Sequence, residues 1–157
     1  MRPFASLDRP TQVYFAVVIA LGLAIIPIGW ILHPVRASDI GELLYLGIGT
    51  QLAGLMPVRW ARGVHVVSTP LLVATSLVAP GAGVAIVAGL AGFDRRRPGK
   101  EVTWTAFLFN NANVALTYGV PSLLLTYAPN VGTFDTPFKT AVLTLAIICL
   151  NYPLTAR

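Results

Sequence analysis

Charge is scarce in this sequence. Of its 157 residues only 11% are Asp, Glu, Lys or Arg, whereas 55% are apolar, and the mean hydropathy is +0.73. A soluble domain carries about 25% charged residues, because its surface faces water. The shortage of charge excludes an ordinary soluble globule, a disordered chain and a coiled coil, and it favours a polytopic membrane protein.

Cysteine and catalytic motifs are scarce as well. The single cysteine, Cys149, has no disulfide partner. The sequence shows no CxxC or HExxH motif, no Ser-His-Asp arrangement and no glycine-rich phosphate loop. No acidic residue lies in the middle of an apolar run, which argues against a proton-coupled pump or an intramembrane carboxylate protease. We therefore expect no catalytic activity, no cofactor and no metal site in this chain.

What the sequence does contain is apolar runs. About 20 residues of helix cross a hydrocarbon core of about 30 Å, and the first run is longer than the apolar core of a cleavable signal peptide. The third and fourth runs are short and separated only by Pro80-Gly81, so they are either two tilted spans or a hairpin. We predict an all-α polytopic bundle, with a cytoplasmic segment at 1–12 and a single transmembrane domain at 13–157. Its six predicted segments are 13–32, 43–58, 64–79, 81–93, 103–126 and 138–154.

Basic residues are distributed unevenly between the two sides of this predicted bundle. Arg36 and Lys139 fall on one side and the other nine on the opposite side. The positive-inside rule then predicts a multi-pass protein of the bacterial inner membrane with both termini in the cytoplasm. The same placement explains the net charge of +5 without nucleic-acid binding. The nine are Arg2, Arg9, Arg59, Arg62, Arg95, Arg96, Arg97, Lys100 and Arg157.

Four charged or titratable residues lie near the predicted membrane edges. His33 and His65 are predicted at opposite edges, too far apart to share a metal ion. Asp39 and Glu42, three residues apart, share a face at the outer start of the second segment. They either bind a cation or an amine, or simply interact favourably with the helix dipole.

The fifth segment carries a polar face. Asn110, Asn113 and Thr117 follow i, i+3, i+7 spacing, and Gln51 in the second segment is a plausible partner. Such side chains either bind the polar groups of a small ligand or form hydrogen bonds between helices. We take these four residues as the candidate ligand site.

Small residues recur at spacings typical of helix packing. They are Ala16, Ala20 and Ala24 in the first segment and Ala85 with Gly89 in the fourth. Such patterns allow close helix approach, either within one chain or between two chains of a homodimer.

The region from Ser68 to Tyr127 carries a family resemblance. It reads STPLLVATSLVA, a Pro-Gly turn, GAGVAIVAGLAGF, the basic loop DRRRPGK, and AFLFNNANVALTYGVPSLL. Over about residues 60–127, and most specifically at Phe109-Asn110, this resembles the N-terminal membrane region of bacterial HD-GYP cyclic-di-GMP phosphodiesterases and of related GGDEF diguanylate cyclases and kinases. The chain is also loosely similar to the substrate-capture subunits of energy-coupling-factor transporters.

The two resemblances imply different functions. The first implies a sensory or anchoring module that relays a ligand or bilayer signal to a cytoplasmic output domain. Because this sequence has no HD, GYP or GGDEF residues, no enzymatic activity follows from it. The second implies capture or transport of a small solute together with an energising subunit. A reading frame continuing beyond Arg157 into an output domain would favour the first.

Overall fold

The computed structural model describes residues 7–55, 58–60, 63–65, 68–91, 98–127, 138–139, 141–142 and 144–146. Most of these residues are helical, which confirms the predicted all-α class. The helices are α1 (Arg9–Leu32), α2 (Ile40–Gly54), α3 (Thr69–Val78), α4 (Ala82–Ala91) and α5 (Trp104–Thr126). The described residues of the predicted sixth segment are helical as well, and the rest of that segment lies outside the described residues.

Helix α1 begins earlier than the apolar run that predicted it. The Asp8 carboxylate accepts a hydrogen bond of 3.4 Å from the Thr11 backbone N–H, and Pro10 lies in the first turn. Both features are typical of a helix start. Residues 9–12 therefore belong to the helix and not to the predicted N-terminal segment. Pro27 lies inside the helix, which continues to Leu32.

The second predicted segment is shifted toward the N-terminus. Helix α2 starts at Ile40, after a single 3-10 turn at Ala37–Asp39, and ends at Gly54. A small antiparallel hairpin follows, formed by β1 (Val58–Trp60) and β2 (Gly63–His65). The predicted helical bounds at 58 and 64 were therefore wrong. Apolarity alone had set these bounds, although Pro57 cannot continue a helix and valine and tryptophan favour strands.

Helices α3 and α4 form a hairpin. Each has 10 residues and is therefore about 15 Å long, about half a membrane thickness. The chain reverses at Pro80-Gly81, where Gly81 has a φ of 72°. Only glycine adopts this left-handed conformation without a steric penalty. We call residues 79–82 the hairpin tip.

Helix α4 lies at the centre of the bundle and contacts α1, α2, α3 and α5. Ala82, Val84, Ala85 and Ala88 are completely buried. A helix that is apolar on every side is stable only when other elements surround it. The core therefore forms around this short helix, and the two long helices line one side of it.

Helices α1 and α5 run in the same direction. Near their N-terminal ends, the rings of Phe15 and Phe109 stack with centroids 4.1 Å apart. At their C-terminal ends the Tyr127 hydroxyl donates a hydrogen bond of 3.0 Å to the Leu32 carbonyl. The two long helices are therefore parallel, and α2 and the α3–α4 hairpin lie between them in the chain.

Close packing of α1 depends on glycines and not on the predicted alanines. Ala16 and Ala20 are exposed, whereas Gly22 and Gly29 are buried. A Cβ on Gly22 would lie 2.5 Å from the Ala112 Cβ, and one on Gly29 only 2.4 Å from the Ala82 nitrogen. The stripe that packs is therefore Val18, Gly22, Ile25 and Gly29. In α4 the predicted packing residue Ala85 does face another helix, at Gly119 of α5.

Among the described helices, α1 alone is both long and apolar enough to cross a membrane. Only 22% of its most apolar stretch is buried within the bundle. Helices α3 and α4 are apolar but shorter.

Candidate functional site

Two of the predicted ligand-site residues are buried in the middle of α5. Asn113 is 5% exposed and Thr117 is 2% exposed. The Thr117 hydroxyl donates a hydrogen bond of 2.8 Å to the Asn113 backbone carbonyl. Within the described part of the chain, the Asn113 side-chain oxygen, Oδ1, is buried without a hydrogen-bond partner. These two side chains face the interior and do not line the cavity described below.

The other two predicted residues lie elsewhere. Asn110, one turn before Asn113, is exposed. Gln51 is half-buried on α2, and α2 packs mainly against α3 and α4. The structure therefore does not bring all four predicted residues into one site.

A cavity of about 400 Å³ lies at the end of the bundle where α1 and α5 terminate and the α3–α4 hairpin turns. We call it the end cavity. Its volume is within the range of small-molecule sites, roughly 300–1,000 Å³. It is lined by His33, Arg36, Asp39, Ser76, Leu77, Val78, Pro80, Ser122, Leu125, Thr126 and Lys139.

The segment between α1 and α2 supplies three of these side chains. His33 caps α1, and its backbone N–H donates a hydrogen bond of 2.8 Å to the Gly29 carbonyl. Arg36 precedes the 3-10 turn, and Asp39 ends it. The Ser38 hydroxyl donates a hydrogen bond of 2.7 Å to the Asp39 carboxylate. The short connection thus places an imidazole, a guanidinium and a carboxylate along one wall.

Ser122 fastens the hairpin tip to α5. Its buried hydroxyl accepts a hydrogen bond of 3.1 Å from the Gly81 backbone N–H. The same hydroxyl donates a hydrogen bond of 2.9 Å to the Gly119 carbonyl. The tip and the end of α5 are therefore held together directly beside the end cavity.

The hydrogen bond between Gly81 and Ser122 affects the backbone carbonyls at the C-terminal end of α3. In a continuing helix the Ser76 carbonyl would accept from residue 80 and the Leu77 carbonyl from residue 81. Residue 80 is a proline without an N–H, and the Gly81 N–H is directed to Ser122. Both carbonyls therefore lack their helical donors, and they lie at the partly negative end of the α3 dipole.

The end cavity consequently offers groups of both signs. Arg36 and Lys139 carry positive charge, and Asp39 carries negative charge. Leu77, Val78 and Leu125 supply an apolar wall. Such a combination can orient a small ligand that has charged groups at one end and carbon atoms at the other.

The sequence contained one signal for this site. Arg36 and Lys139 are the two basic residues assigned to the outer side, and both line the end cavity. His33 and Asp39 were considered separately as edge residues, because nothing in the sequence shows that α1, α3 and α5 meet there. Comparison of the chain with protein-family models, with curated proteins and with solved structures found no match.

Proposed function

We propose that this chain is a membrane-embedded sensory module that binds a small ligand in the end cavity and relays its presence to a cytoplasmic output domain. The observation that carries the proposal is the position of the cavity. A ligand there touches the ends of α1 and α5 and the hairpin tip at the same time. The resemblance of residues 60–127 to HD-GYP and GGDEF signalling proteins suggests the class of output domain.

Exposed apolar side chains support the membrane location. On α1, Leu21 is 54% and Ile31 79% exposed, and on α2, Leu44 is 61% and Tyr45 77% exposed. In water such surfaces would be costly, whereas in a bilayer they face lipid tails. The low burial of α1 also supports this location, because the core helix of a soluble protein is mostly buried. With the distribution of basic residues, this supports a multi-pass inner-membrane protein with cytoplasmic termini.

The close packing around α4 favours relay of a signal over transport of a solute. From the end of the hairpin tip into α4, Ala82, Val84, Ala85 and Ala88 are completely buried. These residues fill the space between α1, α2 and α5 with side-chain atoms. A solute in the end cavity therefore meets closed packing, as expected for a binding site that opens at one end.

Relay requires two arrangements of the helices. A ligand shifts their populations only if it binds one arrangement more tightly than the other. The ligand would contact Ser122, which itself fastens the tip, and any change in that contact alters how the hairpin sits against α5. We propose that this hairpin is the element whose position reports occupancy.

Ligand-dependent stabilisation tests the proposal. The purified chain in detergent would be heated with a panel of amino acids, dicarboxylates, sugars, polyamines and inorganic phosphate. A bound solute at about 100 times its Kd adds about 2.7 kcal/mol of stability. Thr126→Trp would fill the cavity from an exposed lining position, and Leu124→Trp adds the same ring to α5 outside the cavity. We expect at least one solute to raise the Tm of the wild-type protein and of Leu124→Trp, but not of Thr126→Trp.

Two further measurements complete this test. In the full-length gene product, Thr126→Trp should abolish the effect of that solute on output, while Leu124→Trp should preserve it. A panel without any stabilising solute, or a Tm shift that survives Thr126→Trp, would contradict binding in the end cavity. Uptake of the same solute into proteoliposomes would instead favour capture and transport.

A further inference from the structure

The end cavity also indicates the chemical class of its ligand. This inference rests on the proposed function, because it assumes that the cavity binds a ligand. We propose that the ligand is a small zwitterion, with an anionic group, an ammonium group and a short apolar body. Free amino acids have this chemistry, and so do the zwitterionic headgroups of lipids.

The anionic group would be bound by Arg36 and Lys139. Arg36 lies beside the 3-10 turn and Lys139 belongs to the chain that follows α5, so the two cations reach the cavity from separate elements. A guanidinium can donate two parallel hydrogen bonds to a carboxylate or a phosphate. Arg36 is therefore the main proposed partner of the anion, and Lys139 adds positive charge to the same lining.

The ammonium group would be bound by acceptors. Asp39 supplies a carboxylate, and the lining also includes Ser76 and Leu77, whose backbone carbonyls lack their helical donors. An ammonium group has three donors and needs several acceptors when it leaves water. A carboxylate together with the C-terminal end of a helix is a favourable environment for such a cation.

Ligands with only one sign of charge fit this cavity less well. A simple anion would face Asp39 and the α3 carbonyls, and a simple amine would face Arg36 and Lys139. Each would lose water without gaining partners on one side, which is unfavourable. The apolar wall at Leu77, Val78 and Leu125 matches a short hydrocarbon side chain.

Three matched probes separate these alternatives. Leucine carries both charges, 4-methylpentanoate lacks the ammonium group, and 3-methylbutylamine lacks the carboxylate. Their Kd values would be measured by calorimetry with the purified chain in detergent. We expect leucine to bind more tightly than either single-charge analogue by about tenfold or more, because each lost charged hydrogen bond costs at least that factor.

Two variants assign the partners, and their effects should be opposite for the two analogues. Arg36→Gln should weaken the binding of leucine and of 4-methylpentanoate about tenfold. The binding of 3-methylbutylamine should be unchanged or tighter. Asp39→Asn should weaken the binding of leucine and of 3-methylbutylamine, and the binding of 4-methylpentanoate should be unchanged or tighter. A variant that misfolds would bind all three probes more weakly. The reciprocal pattern therefore distinguishes the loss of one binding contact from the loss of the fold. Gly41→Ala, two residues beyond Asp39 and outside the lining, is the control, because nothing lies within 4 Å of the added methyl group.

The remaining outcomes are decisive as well. Glycerophosphoethanolamine is a soluble analogue of a zwitterionic lipid headgroup. If it binds more tightly than leucine, with the same dependence on Arg36 and Asp39, the ligand is a zwitterion and its source is lipid. Equal binding of leucine and 4-methylpentanoate would overturn the zwitterion in favour of an anion. Binding of neither leucine nor glycerophosphoethanolamine would overturn the inference, while a Thr126-dependent response to another solute would leave the proposed function standing.

Discussion

A buried amide oxygen without a hydrogen bond is costly, and Asn113 carries one. Leaving such a group unsatisfied costs about 1–3 kcal/mol, whereas an apolar residue of similar size avoids the penalty. We therefore expect Asn113→Leu to leave the free energy of unfolding unchanged or to raise it by about 1 kcal/mol. Thermal and denaturant unfolding in detergent would measure this.

Thr117→Val is the matched comparison for that substitution. It removes a hydroxyl that does have a partner, the Asn113 carbonyl, and should lower stability by about 0.5–1.5 kcal/mol. A large loss of stability in Asn113→Leu would show that the amide has a partner after all. If Asn113→Leu kept its stability but lost the ligand response, the predicted polar face of α5 would regain its place as the ligand site.

The polar face of α5 shows that sequence spacing predicts which residues share a helix face but not which of them are buried. The i, i+3, i+7 pattern includes Asn113 and Thr117, which are both buried in α5. It could not show that Asn110, one turn away, is exposed. Burial at each height of a helix depends on which other helices are present there, and that is decided by tertiary packing. The end cavity escaped prediction for the same reason, since its walls come from distant parts of the chain.

At the scale of elements, the contact between α1 and the hairpin tip is among the closest in the bundle. An added methyl group on Gly29 would lie 2.4 Å from the Ala82 nitrogen and 2.8 Å from the Gly81 carbonyl carbon. Because these are backbone atoms, the helices must separate. We expect Gly29→Ala to lower the free energy of unfolding by about 1–3 kcal/mol.

Gly41→Ala is the control for that prediction, because nothing lies within 4 Å of an added methyl group there. Alanine is a better helix former than glycine, so this substitution in the first turn of α2 should be neutral or stabilising by up to about 1 kcal/mol. Unfolding in the same detergent compares the two. Equal effects at both positions would contradict the close approach of α1 to the hairpin tip.

Elements with strong local signals were predicted well. Helix α5 lies within one residue of its predicted start and ends at the predicted residue, because Thr103 is a good N-cap before an apolar run. The Pro80-Gly81 turn was predicted because proline does not continue a helix and glycine adopts backbone conformations that other residues avoid. The β1–β2 hairpin was missed, since an apolar run of a few residues does not distinguish a strand from a helix. Ala16 and Ala20 do not mediate close packing within the chain, because the closest approach in α1 occurs at glycine, and their predicted role between two chains stays a prediction.

At the scale of the whole molecule, orientation in the membrane is the main prediction. Ser38 lies in the connection that lines the end cavity but does not line it itself, and Lys100 lies before α5; both are exposed. In a Cys149→Ser background, cysteines at these two positions would be labelled with a membrane-impermeant maleimide. We expect the cysteine at 38 to react in intact cells, and the cysteine at 100 only after permeabilisation. Labelling of both positions in intact cells would contradict the predicted orientation.

The composition of α4 has a mechanical consequence. Its sequence, AGVAIVAGLA, meets α5 at Gly119 and Ala115, so at these contacts neither helix presents a side chain larger than a methyl group. Large interdigitated side chains hinder the sliding of two helices sterically, whereas glycine and alanine hinder it little. The resistance to a small axial displacement of the hairpin would therefore lie less in this interface than in the Ser122 hydroxyl and the Gly29 contact at its tip. We therefore expect a small displacement of the hairpin tip to move α4 along its axis as one unit.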